Sequence, residues 1–407
     1  MSFLKFITSG ESHGRGLTGI IEGIPSGLAL SAEDIDADLR RRQGGYGRGG
    51  RMKIETDHAE LFSGVRWGKT IGSPVCIIIE NRDWENWSEG MSAEARYQGS
   101  IRPVTRPRPG HADLPGALKY NHTDVRNILE RSSARETAMR VGLGAIAKKF
   151  LLEFGVSVGS YVVQIGSQPS ALSSQLLTGD RLMRRFKAAE KSLVRCPDAA
   201  ASKKMIALID KAIKQGNSLG GIFEVFITGL PVGLGSHIQW DRKFDGRLTQ
   251  AVMSIQAIKG VEIGLGFEMG RRFGSEVMDE IFYRGSGRKV QESGDPDSGE
   301  QGFYRATNNA GGIEGGMTNG MPVLIRAAMK PIPTLKKALQ SVDLGTKEPF
   351  AAAYERSDTC AVPAAAVVAE AMAALIAADA FLEKFGGDSI RETKGNYDSY
   401  MKYLRKF

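Results

Sequence analysis

Gly23-Ile-Pro-Ser-Gly-Leu28 returns in the second half of the chain as Gly229-Leu-Pro-Val-Gly-Leu234. A second pair keeps the same order, Gly72-Ser-Pro-Val75 and Gly320-Met-Pro-Val323. Glycine and proline mark turns because glycine reaches left-handed backbone and proline presets φ. In each half the first turn precedes a helical pattern, and the second leads into an apolar strand. One match is within reach of chance in a glycine-rich chain, but two in the same order favour duplication. They predict a single double-layered domain over 1–407 built of two similar halves, about 1–155 and 220–385.

The elements around these turns follow from local signals. Ser31-Ala-Glu-Asp34 reads as a capped helix start, and the helix runs into Arg40–Arg42. Val75–Glu80 and Ile222–Thr228 read as strands. Ser132 or Ser133 is expected to open a helix lasting to about Glu153, and Asp241–Ile258 and Ala364–Lys384 read as further helices. A helical segment is expected near 180–218, a mobile loop over 284–301 and a tail over 390–407. The apolar run Ala361–Leu382 holds Pro363, Glu370 and Asp379 and is mostly alanine, which fits a packed helix better than a membrane span.

Composition narrows the function classes. The 407 residues include 54 Lys+Arg, 46 Asp+Glu and 5 His, a net charge of +8, with 42% hydrophobic residues. That balance is globular and too apolar for disorder. Three scattered cysteines, Cys76, Cys196 and Cys360, indicate neither a disulfide framework nor a zinc site, and no metal is expected. No secretory signal is visible, so a cytoplasmic protein with no membrane contact is the expectation. The 50 glycines exceed the usual share of roughly 7% and cluster beside charged residues. Five arginines in residues 40–51, followed by Arg102, Arg106 and Arg108, read either as RNA-binding sequence or as a phosphate or carboxylate pocket. Stacking residues are scarce there, Tyr46 standing alone, which favours the pocket over nucleic acid.

Five segments carry chemistry. Gly10-Glu-Ser-His-Gly14 sets an imidazole and a hydroxyl between glycines. Arg106-Pro-Arg-Pro-Gly-His111-Ala-Asp113 is a stiff basic stretch that delivers a histidine beside a carboxylate. Arg131-Ser-Ser-Ala-Arg135-Glu-Thr-Ala-Met-Arg140 reads as an anion site at a helix start, or as an ordinary capped helix with solvated charges. Asn308-Asn-Ala-Gly-Gly-Ile-Glu-Gly315-Gly-Met-Thr-Asn-Gly320 fits neither a Walker loop nor a dinucleotide fingerprint, yet it suits wrapping a flat or phosphorylated ligand. Arg356-Ser-Asp358-Thr-Cys360-Ala-Val-Pro363 offers one cation and one base, as a salt bridge or to a pocket.

In order and wording these segments, with Gln256-Ala-Ile-Lys-Gly-Val-Glu-Ile-Gly264 and Lys330-Pro-Ile-Pro-Thr334, resemble the chorismate synthase family over nearly the whole chain. The resemblance implies an α+β fold, a β-α-β sandwich of antiparallel sheets packed with helices and internally duplicated about a pseudo-twofold. It implies elimination of phosphate from 5-enolpyruvylshikimate 3-phosphate to give chorismate, with reduced FMN and no net redox change, by a homotetramer.

By that resemblance His13, His111 and Asp358 are the catalytic candidates. His13 would protonate the departing phosphate, His111 would donate to the flavin, and Asp358 would work in proton uptake. Ser12, His13, Arg42, Arg48, Arg135 and Arg356 would face substrate. Arg131, Ser132, Ser133, Gln256, Ala257, Gly315, Lys330, Pro331, Ile332, Pro333, Thr334 and Arg356 would hold FMN. Arg42 and Arg48 are also the family's NADPH positions, so phosphate and NADPH both stay open for them, NADPH as an indirect reductant. His58, His122, His237 and Glu314 take no role.

Overall fold

The computed structural model describes residues 3–49, 56–171, 178–284, 302–337, 339–352 and 358–407. The first half runs β1 (Lys5–Gly10), β2 (Gly16–Glu22), α1 (Ala32–Gln43), β3 (Glu60–Ser63) and β4 (Val75–Glu80). It continues through α2 (Asp113–Tyr120) and α3 (Arg126–Ser132) to α4 (Thr137–Leu152). The second runs β5 (Ser157–Ile165), α5 (Gly179–Glu190), α6 (Ala199–Lys214), β6 (Gly221–Thr228) and α7 (Phe244–Met253). After these come β7 (Ile258–Ile263), β8 (Val323–Met329), α8 (Val362–Phe385) and α9 (Ile390–Leu404).

Both main sheets are antiparallel and share one order. The first is β1-β2-β4-β3; the second is β5-β6-β8-β7, with a two-residue edge at Gln168–Pro169. Each half also places a helix after its second strand and another after its fourth, so the related turns sit at equivalent points. The strand opening the second set, Ser157–Ile165, lies ahead of residue 220.

Helices α1, α4, α7 and α8 fill the space between the sheets, and one core joins both layers. Strand residues Leu17, Ile77 and Ile79 from one sheet and Phe223, Val225 and Ile325 from the other are fully buried in it. Helix α8 is apolar on nearly every side and long enough to cross a membrane by length and composition, and 94% of its apolar window is buried in protein. Its alanines let α4 approach closely: a Cβ added at Gly144 would stand 2.3 Å from Ala371 Cβ. Gly144→Ala should therefore destabilise by about 1–3 kcal/mol from overpacking, outweighing a helix-propensity gain of up to about 1 kcal/mol. A lower urea midpoint with an unchanged m value is the expected reading. A stabilised variant would contradict so tight a crossing.

Several local expectations shift. The α1 capping box forms as expected, Ser31 Oγ accepting from Asp34 N while Asp34 Oδ2 accepts from Ser31 N. The helix expected from Ser132 or Ser133 starts only at Thr137. Extended Ser133 ends α3, and its hydroxyl accepts from Arg135 N to cap a short 3-10 turn instead. The helix expected over Asp241–Ile258 is shortened to Phe244–Met253, because Ala257 takes a left-handed φ of 68° and Ile258 pairs with Met329. The segment near 180–218 is two helices broken around left-handed Arg195. Residues 390–404, expected as tail, form α9, whose Tyr397 and Tyr400 pack on Phe385. Of the 284–301 loop only Arg284 is described, closing the strand Ile281–Arg284.

Candidate active site

Strand register brings the chemistry-bearing turns to one end of the sandwich. Pairing of Gly10 with Leu17 and of Gly16 with Glu80 sets the Glu11–Arg15 turn beside Asn81. In the other sheet Met329 pairs with both Ile258 and Gly221, which sets Gln256–Ala257 beside Lys330. Glu136 ties the two ends together, accepting from Thr8 Oγ1 (2.9 Å), Arg140 Nε (2.9 Å) and Gln256 Nε2 (3.2 Å).

His13 is held from behind by Glu130. The buried carboxylate accepts from His13 N at 2.7 Å and from its Nδ1 at 2.8 Å, and Trp87 covers the ring with centroids 4.2 Å apart. Burial pushes the Glu130 carboxyl up, but the His13 hydrogen bonds and the nearby Arg126 charge outweigh it and hold it below the usual range. Ser12 Oγ lies 3.1 Å from Ser133 Oγ, so two hydroxyls flank the ring's turn. Arg131 reaches back to Thr8 O (2.7 Å) and Gly10 O (3.2 Å) with its side chain 43% exposed.

His111 is arranged alike. Its Nδ1 lies 2.5 Å from Asp113 Oδ1, and Arg108 Nε donates to Asp113 Oδ2 at 2.8 Å. Burial would raise Asp113, yet the His111 and Arg108 hydrogen bonds win and drive it well below the carboxylate range. Arg108 also donates to Thr334 Oγ1 at 3.1 Å, and Lys330 Nζ to Gly110 O at 2.9 Å, docking this stiff stretch on the 330–334 segment. Burial, with repulsion from Lys259, lowers the Lys330 ammonium, which is the environment an added anion relieves.

Asp358 accepts from Gly49 N (2.7 Å) and faces Arg48 (3.1 Å), and it shares a pocket with Thr334, Thr359, Asn217 and Lys336. Neighbouring Cys360 is no nucleophile, since burial pushes its thiol up to about 11. Arg42 and Arg135, expected to face substrate, are instead buried in protein. Arg42 donates to Thr137 Oγ1 (3.0 Å) and Ala134 O (2.8 Å), and Arg135 to Asp57 (2.5 Å) and Asn81 Oδ1 (2.8 Å). Both therefore brace the Ser133–Thr137 turn.

Local contacts link parts of the expected set: Ser12 meets Ser133 beside His13, Gln256 and Ala257 lie beside Lys330, His111 and Arg108 dock on the Lys330–Thr334 run, and Asp358 faces Arg48 and shares a pocket with Thr334. Gly315 does not join them. It lies in a hairpin before Val323, at the end of β8 opposite Lys330, next to His237. There Glu314 accepts from Arg305 and Asn319. Arg356 lies outside the described residues. Sequence reasoning missed Glu130, Asp57, Trp87 and Glu136, because each lies far along the chain from the groups it holds or covers.

Imidazoles backed by carboxylates and set among cations at the ends of two sheets suit an α+β enzyme acting on a small molecule. The known proteins it resembles narrow that class. The chorismate synthase family model matches residues 4–382. A chorismate synthase of Geobacter metallireducens is 60% identical over 99% of this chain and 100% of its own, and one of Aquifex aeolicus is 55% identical over the full length of both. A crystal structure of a chorismate synthase, 46% identical, matches with a TM-score of 0.79 over 99% of each chain. The chain belongs to the chorismate synthase family, lyases acting on phosphates in the shikimate pathway.

Proposed function

We propose that this end of the sandwich carries out the anti-1,4-elimination of phosphate from 5-enolpyruvylshikimate 3-phosphate, and that the site also takes FMN. The observation that carries the reading is the pair of imidazoles, His13 and His111, each backed by a buried carboxylate. His13 gives a proton from Nε2 to an oxygen of the departing phosphate as its C–O bond breaks. Ser12, Ser133 and Arg48 bind and orient the anionic groups. Asp358 takes part in receiving the ring proton whose loss completes the new double bond, and Arg48 steadies its charge at 3.1 Å. Phosphate and a proton leave together, so oxidation level is conserved.

The residues present fit a flavin. Gln256 Oε1 is buried with no hydrogen-bond partner among the described residues, an acceptor ready for a ligand N–H. Left-handed Ala257 turns the backbone beside it, and its carbonyl accepts from Lys330 N at 2.9 Å. Ser132, Ser133, Arg131 and the Lys330–Thr334 segment would hold the group's phosphate tail and ring edge, and His111 would donate to the ring edge. Bound there, reduced FMN would supply transient electron density for departure of the allylic phosphate.

NADPH enters this reading only as an indirect reductant, because Arg42 is 5% exposed and bonded to Thr137 and Ala134. A homotetramer belongs to the same reading, supported by Phe267, Phe273 and Met278, each largely exposed in the second half. Three free cysteines suit a reducing cytoplasm. The test is an anaerobic assay with the enolpyruvyl substrate and chemically reduced FMN. Chorismate and phosphate are expected in equal amounts with the flavin still reduced. Product formed with oxidised FMN, or one flavin oxidised per product, would refute the elimination.

A further inference from the structure

Glu130 makes more contacts with His13 than a single ion pair needs. Its Oε2 takes the His13 backbone N–H at 2.7 Å and its Oε1 takes ring Nδ1 at 2.8 Å, so ring position and rotation are both fixed. The side chain of Glu130 is 2% exposed while that of His13 is 14% exposed, so the carboxylate lies on the protein side and the rest of the ring towards the cleft. Trp87 stacks on the ring at 4.2 Å, and Arg126 sits 5.1 Å from the Trp87 ring and 3.4 Å from Glu130 Oε1. Glu130 O also accepts from Ser12 N at 3.1 Å, so one residue anchors the turn by main chain and side chain.

An ionised carboxylate only accepts hydrogen bonds, so the atom bonded to it must be Nδ1–H. We infer that Glu130 is a positioning residue that locks His13 with Nδ1 protonated towards the protein, leaving Nε2 as the one ring atom that exchanges a proton with the cleft. The cation then carries Nδ1–H towards Glu130 and Nε2–H towards the ligand. After Nε2 gives up its proton the ring is neutral, and Nδ1–H still bonds Glu130. Free neutral imidazole favours the opposite tautomer, so without Glu130 the ring would present its proton and its lone pair on the wrong atoms. His111 and Asp113 repeat the pattern at 2.5 Å, with Arg108 in addition. At His13 the guanidinium beside the carboxylate is that of Arg126, at 3.4 Å from Glu130 Oε1.

The inference rests on His13 as the proton donor of the proposed elimination, and the experiment keeps the two separable. The full-length protein, labelled with 15N in its histidines, is observed by ring 15N–1H correlation at a pH where His13 is neutral, with His13→Asn identifying the resonance. The wild type is expected in the Nδ1–H form, and Glu130→Gln is expected to move His13 towards Nε2–H. In turnover Glu130→Gln should lose roughly 10- to 100-fold in kcat with KM little changed, and Glu130→Asp should recover part of the loss. A wild-type Nε2–H form, or a tautomer indifferent to Glu130→Gln, overturns the assignment. A tautomer that shifts while kcat holds supports Glu130's hold on the ring and removes His13 from the proton-donor role instead.

Discussion

Alanine in place of His13 should lower kcat by roughly 10²–10⁴-fold, the usual worth of a positioned proton donor. The loss should fall on kcat more than on KM, because the imidazole acts on an oxygen whose charge develops only as the C–O bond breaks. Folding should survive. Glu130 keeps the His13 backbone N–H at 2.7 Å and Arg126 at 3.4 Å, so the buried carboxylate is not stranded. Trp87 loses a stacking partner but stays on the surface of the turn. The check is anaerobic turnover with reduced FMN, beside FMN binding and far-UV circular dichroism on the same sample. Wild-type kcat in a folded, FMN-binding variant would remove His13 from the chemistry.

How far the sequence carried this reading differs between fold and site. The paired Gly-x-Pro-x-Gly-Leu and Gly-x-Pro-Val turns were readable because turn geometry is encoded by the residues that make it. They anticipated the strand order that the two main sheets share. Strand Ser157–Ile165 was not readable as the counterpart of Lys5–Gly10. In the second half α5 and α6 intervene between the hairpin strands, where the first half has only the five-residue turn 11–15. Helix boundaries failed where tertiary contacts override propensity: Ile258 is drawn into a sheet by Met329, and Ser133 caps a turn tied to Ser12.

At the site, His13, His111 and Asp358 stood out because glycines, prolines and charges surround them. Glu130 did not, since its partner lies 117 positions away and its own neighbours form an ordinary short helix. Arg42 and Arg135 were legible as cations but not in their surroundings. Arginine near glycine suggested an open anion pocket, yet both guanidinium groups are taken up by Asp57, Asn81, Thr137 and backbone oxygens. Local composition reports that cations are present; only packing shows which of them still face the cleft.

Glu370→Ala should be the most destabilising single change in the described core, by about 3–5 kcal/mol, the range for breaking a buried ion pair from one side. Glu370 is fully buried in α8 and accepts from Arg41 (2.8 Å), Lys148 (2.6 Å), Ser160 (2.5 Å) and Arg195 (3.2 Å). One carboxylate thus joins α1, α4, β5 and the break between α5 and α6, drawing both halves onto the central helix. Truncation empties a buried site and leaves the three cations only their other partners, Asp38 for Arg41 and Lys148 and Glu190 for Arg41 and Arg195, a cost above that of a lost surface pair, about 0–1 kcal/mol. Burial alone would raise the Glu370 carboxyl, but the surrounding Arg41, Lys148 and Arg195 charges overcome it and depress it strongly. Its ionised form is therefore favoured by folding. The stability it contributes is complete above the unfolded Glu value of about 4.3 and is lost as pH falls below that towards the folded value. Glu370→Gln, which keeps shape but not charge, should differ most from wild type at neutral pH, and the gap should close in acid. Urea unfolding of the three proteins between pH 7 and 3 reads this directly. A neutral-pH difference under about 1 kcal/mol, or a gap that widens in acid, would show that the helices are held together by apolar packing with Glu370 a passenger.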